Sequence, residues 1–271
     1  MLRGAYDFHV HSAPDVVPRR LDDMELARAA RKEGMVGIVI KNHLFETAAR
    51  ASLARQEVKG IQVFGGIVLN ETVGGLNPRA VEACLQLGGR VVWMPTVDAR
   101  NHRERLGQSG GVTILDNKGR LLGPVVEILA LIREWDAILA TGHLSLEETS
   151  VLVKEAQARG IEKLVLTHPE FWITRTPLEA QKELARQGVF MERCYYSCTL
   201  KDGHRVSLQE MAHQIREVGP SSTILASDLG QKENPPPPRG FGIFLQSLLE
   251  LGIKEKELET MVKENPRRLL A

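Results

Sequence analysis

Residues 5–11 read Ala5-Tyr6-Asp7-Phe8-His9-Val10-His11. The run Ala5–Val10 has the length and apolar character of a buried strand, and two histidines stand at its end. Side chains two apart on a strand point the same way, so His9 and His11 share a face. Seven further runs of this kind follow: Val36–Ile40, Gln62–Leu69, Arg90–Met94, Ala137–Ala140, Lys163–Thr167, Val189–Glu192 and Thr223–Ala226. Most are almost continuously apolar, as expected of parallel strands covered by helices.

Amphipathic stretches separate them. Leu21, Met24, Leu26, Ala27 and Ala30 form a stripe that stops at Gly34, and Pro78 occupies a first helical position ahead of Val81, Cys84 and Leu85. Ser145 with Glu148, Thr176 with Glu179 and Ser207 with Glu210 have capping-box spacing, and Gly160, Gly188 and Gly219 close those helices. Phe241, Phe244, Leu245, Leu248 and Leu249 give a helix after the last strand. Eight strands alternating with helices predict an α/β fold, a single-domain (β/α)8 TIM barrel over residues 1–271. An open doubly wound sheet is the rival, because periodicity does not show closure. Between the fourth and fifth strands, Val112–Leu115, the turn Asp116–Gly119 and Arg120–Leu122 predict a β-hairpin insertion. The run Pro235–Pro238 reads as a stiff loop spacer.

Composition is that of an ordinary globular protein, with 43% apolar and 25% charged residues. The 35 basic and 34 acidic residues leave a formal charge of +1, which gives no electrostatic reason to expect nucleic acid or an anionic membrane as partner. Three cysteines without a CxxC pair predict buried reduced thiols. No signal peptide or membrane span is read, so the expectation is a cytoplasmic protein acting on a small-molecule substrate, as a homo-oligomer.

In a barrel the carboxyl ends of all strands surround one mouth. His9 and His11 end the first strand, His143 follows the fifth, His168 the sixth and Asp228 the eighth. Imidazoles and a carboxylate converging there suit a divalent metal, most simply zinc, one or two per chain.

This pattern, together with the tail Glu264-Asn265-Pro266-Arg267-Arg268-Leu269-Leu270, resembles the amidohydrolase superfamily of metal-dependent hydrolases through nearly the whole chain. The resemblance implies His9, His11, His143, His168 and Asp228 as metal ligands, with Asp228 and His143 catalytic. It departs at one place. Two-metal members usually carry a carboxylated lysine or a glutamate at the end of strand four, where this chain has Met94-Pro95-Thr96. Glu71 after strand three is therefore expected as a bridging ligand, with Lys41 an alternative only if carboxylated. Lys41, His43 and Arg193 are expected to face substrate. Arg19, Arg20, Asp98, His102, Glu170 and Glu192 are weaker candidates, while His204 and His213 read as surface residues. The reaction implied is hydrolysis of an amide, lactone, cyclic amide or phosphoester. A decarboxylase of the same superfamily, a histidine-rich phosphoesterase barrel and a non-catalytic ligand-binding barrel are the alternatives.

Overall fold

A computed structural model describes residues 1–271. The strands are β1 (Tyr6–Val10), β2 (Gly37–Ile40), β3 (Gln62–Phe64), β4 (Gly66–Val68), β5 (Val91–Trp93), β6 (Ile138–Ala140), β7 (Leu164–Thr167), β8 (Phe190–Cys194) and β9 (Thr223–Ala226). All pairings are parallel, in the orders β1-β2-β3 and β4-β5-β6-β7-β8-β9. β3 and β4 are the two parts of one barrel strand, interrupted at Gly65. A Cβ there would lie 2.3 Å from the Thr47 carbonyl oxygen, so the position admits only glycine. The eight strands read from the sequence are thus the eight staves.

β9 returns beside β1 without forming a regular ladder. The seam is made just beyond it: the Asp228 N–H donates to the His9 carbonyl at 2.8 Å, and the His11 N–H to the Leu229 carbonyl at 2.8 Å. The Ser227 N–H donates to the Asp7 carboxylate, also at 2.8 Å. Closure therefore runs through the residues that carry the candidate ligands.

The helices are α1 (Asp23–Lys32), α2 (Ala48–Glu57), α3 (Pro78–Gln86), α4 (Arg100–Arg105), α5 (Gly123–Glu134), α6 (Leu146–Ala158), α7 (Leu178–Arg186), α8 (Leu208–Val218), α9 (Pro237–Glu250), α10 (Glu255–Glu259) and α11 (Asn265–Leu270). One buried cluster, including Val39, Val91, Trp93, Ile138, Val165 and Ile224, fills the barrel. Two others pack helices on its outside, one around Leu26, Phe241 and Phe244 and one around Ile128, Leu129 and Leu152.

Local expectations meet tertiary context unevenly. At α6 the Ser145–Glu148 capping box forms in both directions. At α7 the expected Thr176–Glu179 box does not, because Pro177 takes the cap position and has no side-chain donor or acceptor to offer. The Pro235–Pro238 run is not all spacer: Pro237 and Pro238 open α9, where a missing N–H costs nothing. The insertion after β5 contains the expected hairpin in minimal form, with a helix ahead of it. It holds the short helix α4 and a single antiparallel bridge, Leu115 to Leu121. Glu148 anchors it, accepting from Thr113 Oγ1 at 2.8 Å and the Ile114 N–H at 3.2 Å. No helix is long and apolar enough to cross a membrane.

Candidate metal centre

β1 delivers His9 and His11 to the barrel axis, and the chain beyond β9 delivers Asp228 opposite them. His9 Nε2 and His11 Nε2 each lie 3.1 Å from the same oxygen, Asp228 Oδ1. From β6 and β7 come His143 and His168, whose Nε2 atoms are 3.3 Å apart. The His9 and His168 rings stack with centroids 6.0 Å apart, so the two groups are neighbours. The four histidines are buried to within a few per cent and the Asp228 side chain is 11% exposed; four of the five line one cavity of about 370 Å³ with Lys41, His43 and His102. His9, fully buried, lies directly behind them.

The backbone is strained where these residues sit. His168 and Asp228 have φ of 25° and 50°, the left-handed region that side chains other than glycine avoid. Such outliers cost about 1–3 kcal/mol each and cluster at functional sites. Gly230 (φ 145°) lets the loop after β9 pass close to β1: a Cβ there would meet the His11 carbonyl oxygen at 2.1 Å.

Electrostatics follow from burial. Burial holds the His11 and His168 imidazoles down to about 3, so both present neutral nitrogens. His143 is also held well below the usual range by burial and by the His168 ring. For Asp228, burial favours protonation, but His9 and the hydrogen bonds from His11 and His9 outweigh it and keep the carboxyl ionised. His9 stands between two carboxylates, with Glu192 Oε2 3.3 Å from Nδ1. Against the effect of burial, their charges raise its pKa.

Neutral imidazole nitrogens beside an ionised carboxylate are the donor set of a zinc-class ion. The local hydrogen bonding fits such an ion. Apart from the ion contacts of His9 with Asp228 and Glu192, the buried His9 Nε2, His11 Nδ1, His168 Nδ1 and both Glu192 oxygens have no partner. Of these, His9 Nε2 faces Asp228 Oδ1 at 3.1 Å, where a cation between them would satisfy both. His9, Cys194 and Asp228 also offer ligand atoms within 4.8 Å of one another, which adds a thiol that the sequence reading set aside.

His43 is held in a defined orientation. Asn70 Nδ2 donates to Thr96 Oγ1 at 2.8 Å, and that hydroxyl meets His43 Nδ1 at 2.8 Å. The Thr96 hydroxyl, with one proton and a second lone pair left, meets Nδ1 in either tautomer, so the ring is held with its other nitrogen directed away from Thr96. His102 on α4 brings its Nδ1 2.5 Å from His143 Nδ1. Lys41, at the end of β2, is 1% exposed, its Nζ has no partner, and it lies 5.6 Å above the Trp93 ring.

Two expected site residues are placed elsewhere. Glu71 begins a 3-10 turn that carries its side chain outward, 55% exposed, to pair with Arg103 at 2.9 Å. It is no neighbour of the histidines, so the bridging role expected for it is corrected. Arg193 is the outward residue of the Glu192-Arg193-Cys194 alternation on β8. It forms a fully buried ion pair with Glu170 and donates to Gln181 at 3.1 Å, so the substrate contact expected of it is corrected too. Among the weaker candidates, Arg19 and His102 line the cavity, Asp98 pairs with Arg103, and Arg20 reaches the Lys232 carbonyl at the surface. His213 is exposed on α8, and His204 stacks on Trp172 with centroids 4.2 Å apart. The sequence alone makes Cys194 a buried thiol and gives no role to Phe171 and Tyr196, both of which line the cavity. Only Cys194 left a signal, the spacing of two from Glu192.

The barrel, with histidines from β1, β6 and β7 and an aspartate beyond β9, has the fold of the amidohydrolase superfamily. Solved structures match it over nearly their whole length. An amidohydrolase from Pseudomonas aeruginosa aligns with a TM-score of 0.68 at 15% identity, covering 98% of this chain and 95% of that one. The organophosphorus hydrolase from Deinococcus radiodurans aligns with a TM-score of 0.63 at 16% identity, covering 99% and 93%. A dipeptidase described as a metallopeptidase aligns with a TM-score of 0.66 at 11% identity, covering 100% and 98%. No curated protein matches the chain in sequence. A family profile, described as a family of unknown function, DUF6282, matches residues 4–192, and the chain belongs to that family.

Proposed function

We propose that this protein is a metal-dependent hydrolase acting on an amide, lactone, cyclic amide or phosphoester bond of a small polar molecule. The observation that carries the reading is the convergence of His9 Nε2 and His11 Nε2 on one Asp228 oxygen, 3.1 Å from each. His9, His11 and Asp228 would hold one divalent ion, and His143 with His168 would complete the site or hold a second. When bound, such an ion supplies Lewis acidity and a water acidic enough to ionise near neutrality.

The side chains divide the remaining work. Asp228, ionised and buried at the rim, takes a proton from the attacking water and passes it to the leaving group. His143, neutral and oriented by His102, stands beside it as ligand or second proton carrier. His43 offers its free ring nitrogen and Lys41 an amine to the substrate. The cavity of about 370 Å³ suits a small molecule.

Protein purified without added metal, analysed for metal content and then screened against ester, lactone, amide and phosphoester panels, tests the reading. Zinc or a similar ion bound at one or two per chain, with hydrolysis that chelation abolishes, is the expected result. A metal-free protein that takes up no added ion overturns it. Carbon dioxide release from acids, with no bond hydrolysed, would replace hydrolysis by decarboxylation at the same site.

A further inference from the structure

Arg19 enters the cavity from the loop after β1, and the chemistry above gives it no task. Its Nε donates to Asp15 Oδ2 at 2.7 Å, with the two side chains only 6% and 3% exposed. Asp15 also accepts from the Val17 N–H at 3.3 Å. The backbone is pinned as well: Arg19 pairs with Gln231 across an antiparallel bridge, and the Arg20 N–H donates to the Gly230 carbonyl at 2.8 Å. The guanidinium is fixed before anything binds, so little conformational entropy remains to be lost on binding.

A guanidinium has five N–H donors, and Asp15 engages only the one on Nε. The two terminal nitrogens make no hydrogen bond within the protein. They form the free end of a rigid fork in a wall shared with His11, Lys41 and Asp228. A fork of this shape matches the paired oxygens of a carboxylate or phosphate. The charges agree. Asp15 offsets Arg19, and Lys41 with a divalent ion at the histidines, three positive charges, outweighs the two lining carboxylates Asp228 and Glu233.

We infer that the substrate carries a compact oxyanion, a carboxylate or a phosphate, seated on the free edge of Arg19 with the bond to be cleaved turned towards Asp228. This rests on the hydrolase reading for its orientation. The anion seat itself is testable apart from it.

Metal-stripped protein titrated calorimetrically with succinate, inorganic phosphate and neutral succinamide makes the test, since no metal is then present to bind the anion. Saturable binding of an anion, none of succinamide, and about tenfold or greater weakening in Arg19→Met are expected. Arg19→Lys, which keeps the charge and loses the fork, should lie between, and it carries the test if the methionine variant fails to fold. Preference for succinate assigns a carboxylate, preference for phosphate a phosphate ester. No anion binding by the wild type, or equal binding by both variants, overturns the inference. Zinc content of Arg19→Met, expected unchanged, keeps this outcome separate from failure of the metal site.

Discussion

His9 Nδ1 lies 3.3 Å from Glu192 Oε2, and neither side chain is exposed to solvent. A carboxylate on this side draws the imidazole proton to Nδ1 and leaves Nε2 free to face Asp228 and a cation. Partners of this kind fix the tautomer and ring orientation of a metal-binding histidine, and losing one typically costs ten- to a hundredfold in metal affinity. Glu192→Gln should therefore weaken zinc binding by about that factor, read by competition with a chromophoric chelator, although Glu192 need not touch the ion. Equal affinity in the two proteins would remove Glu192 from the role.

Asp228→Asn separates holding the ion from moving protons. The amide keeps the shape and one acceptor oxygen, so zinc should remain largely bound. Turnover should fall on the order of 10²–10⁴-fold, the range set by loss of a general acid–base group. The comparison is kcat against zinc content in the same preparation, and undiminished turnover would take Asp228 out of the mechanism.

Glu71→Ala should change nothing at the metal centre. The carboxylate is held at the surface by Arg103, so metal per chain should equal that of the wild type by elemental analysis. A loss of one equivalent would mean that the loop after β4 swings inward when metal binds.

How far the sequence could be read follows from which interactions are local. The strands and most helix ends were legible because short continuous apolar runs, glycine stops and caps such as Ser145 act within a few residues. His9 and His11 were legible because two-residue spacing puts them on one face, and β6, β7 and β9 were recognised well enough to place His143, His168 and Asp228 at their ends. Glu71 misled because position after a strand says nothing of which way a 3-10 turn leaves it. Arg193 misled for a subtler reason. The same alternation that turns Glu192 and Cys194 inward turns Arg193 out, because β8 runs on to Cys194 and does not stop at Glu192. The anchoring of His43 through Thr96 and Asn70 joins three loops far apart in the chain, and nothing local announces it.

The cysteines give a prediction about reactivity. Burial pushes the Cys84 and Cys198 thiols up to about 12, and burial with the Glu192 and Asp228 charges raises Cys194 well above its usual value. Only thiolate attacks a disulfide reagent, and each of these groups stays protonated until well above pH 8. Native protein at pH 8 should release almost no thionitrobenzoate from Ellman's reagent, and three equivalents after unfolding in guanidinium. If metal binds through Cys194, its thiolate would be coordinated and still shielded, so fast reaction in either form contradicts the burial.

The Arg193–Glu170 pair should prove to be structural. Both side chains are fully buried, Gln181 and Gln214 supply further acceptors to the guanidinium, and β8 is joined through it to α7 and α8. Removing one member of a buried pair strands the other without compensation and costs about 3–5 kcal/mol, whereas replacing both by apolar groups costs much less. Arg193→Met should lose stability of that order in urea denaturation, and the double variant Arg193→Met, Glu170→Leu should recover much of it. Zinc stoichiometry should hold in both, because Arg193 lies outside the barrel wall that carries Glu192. An Arg193→Met protein with wild-type stability and impaired substrate binding would reverse this assignment and return the residue to the site.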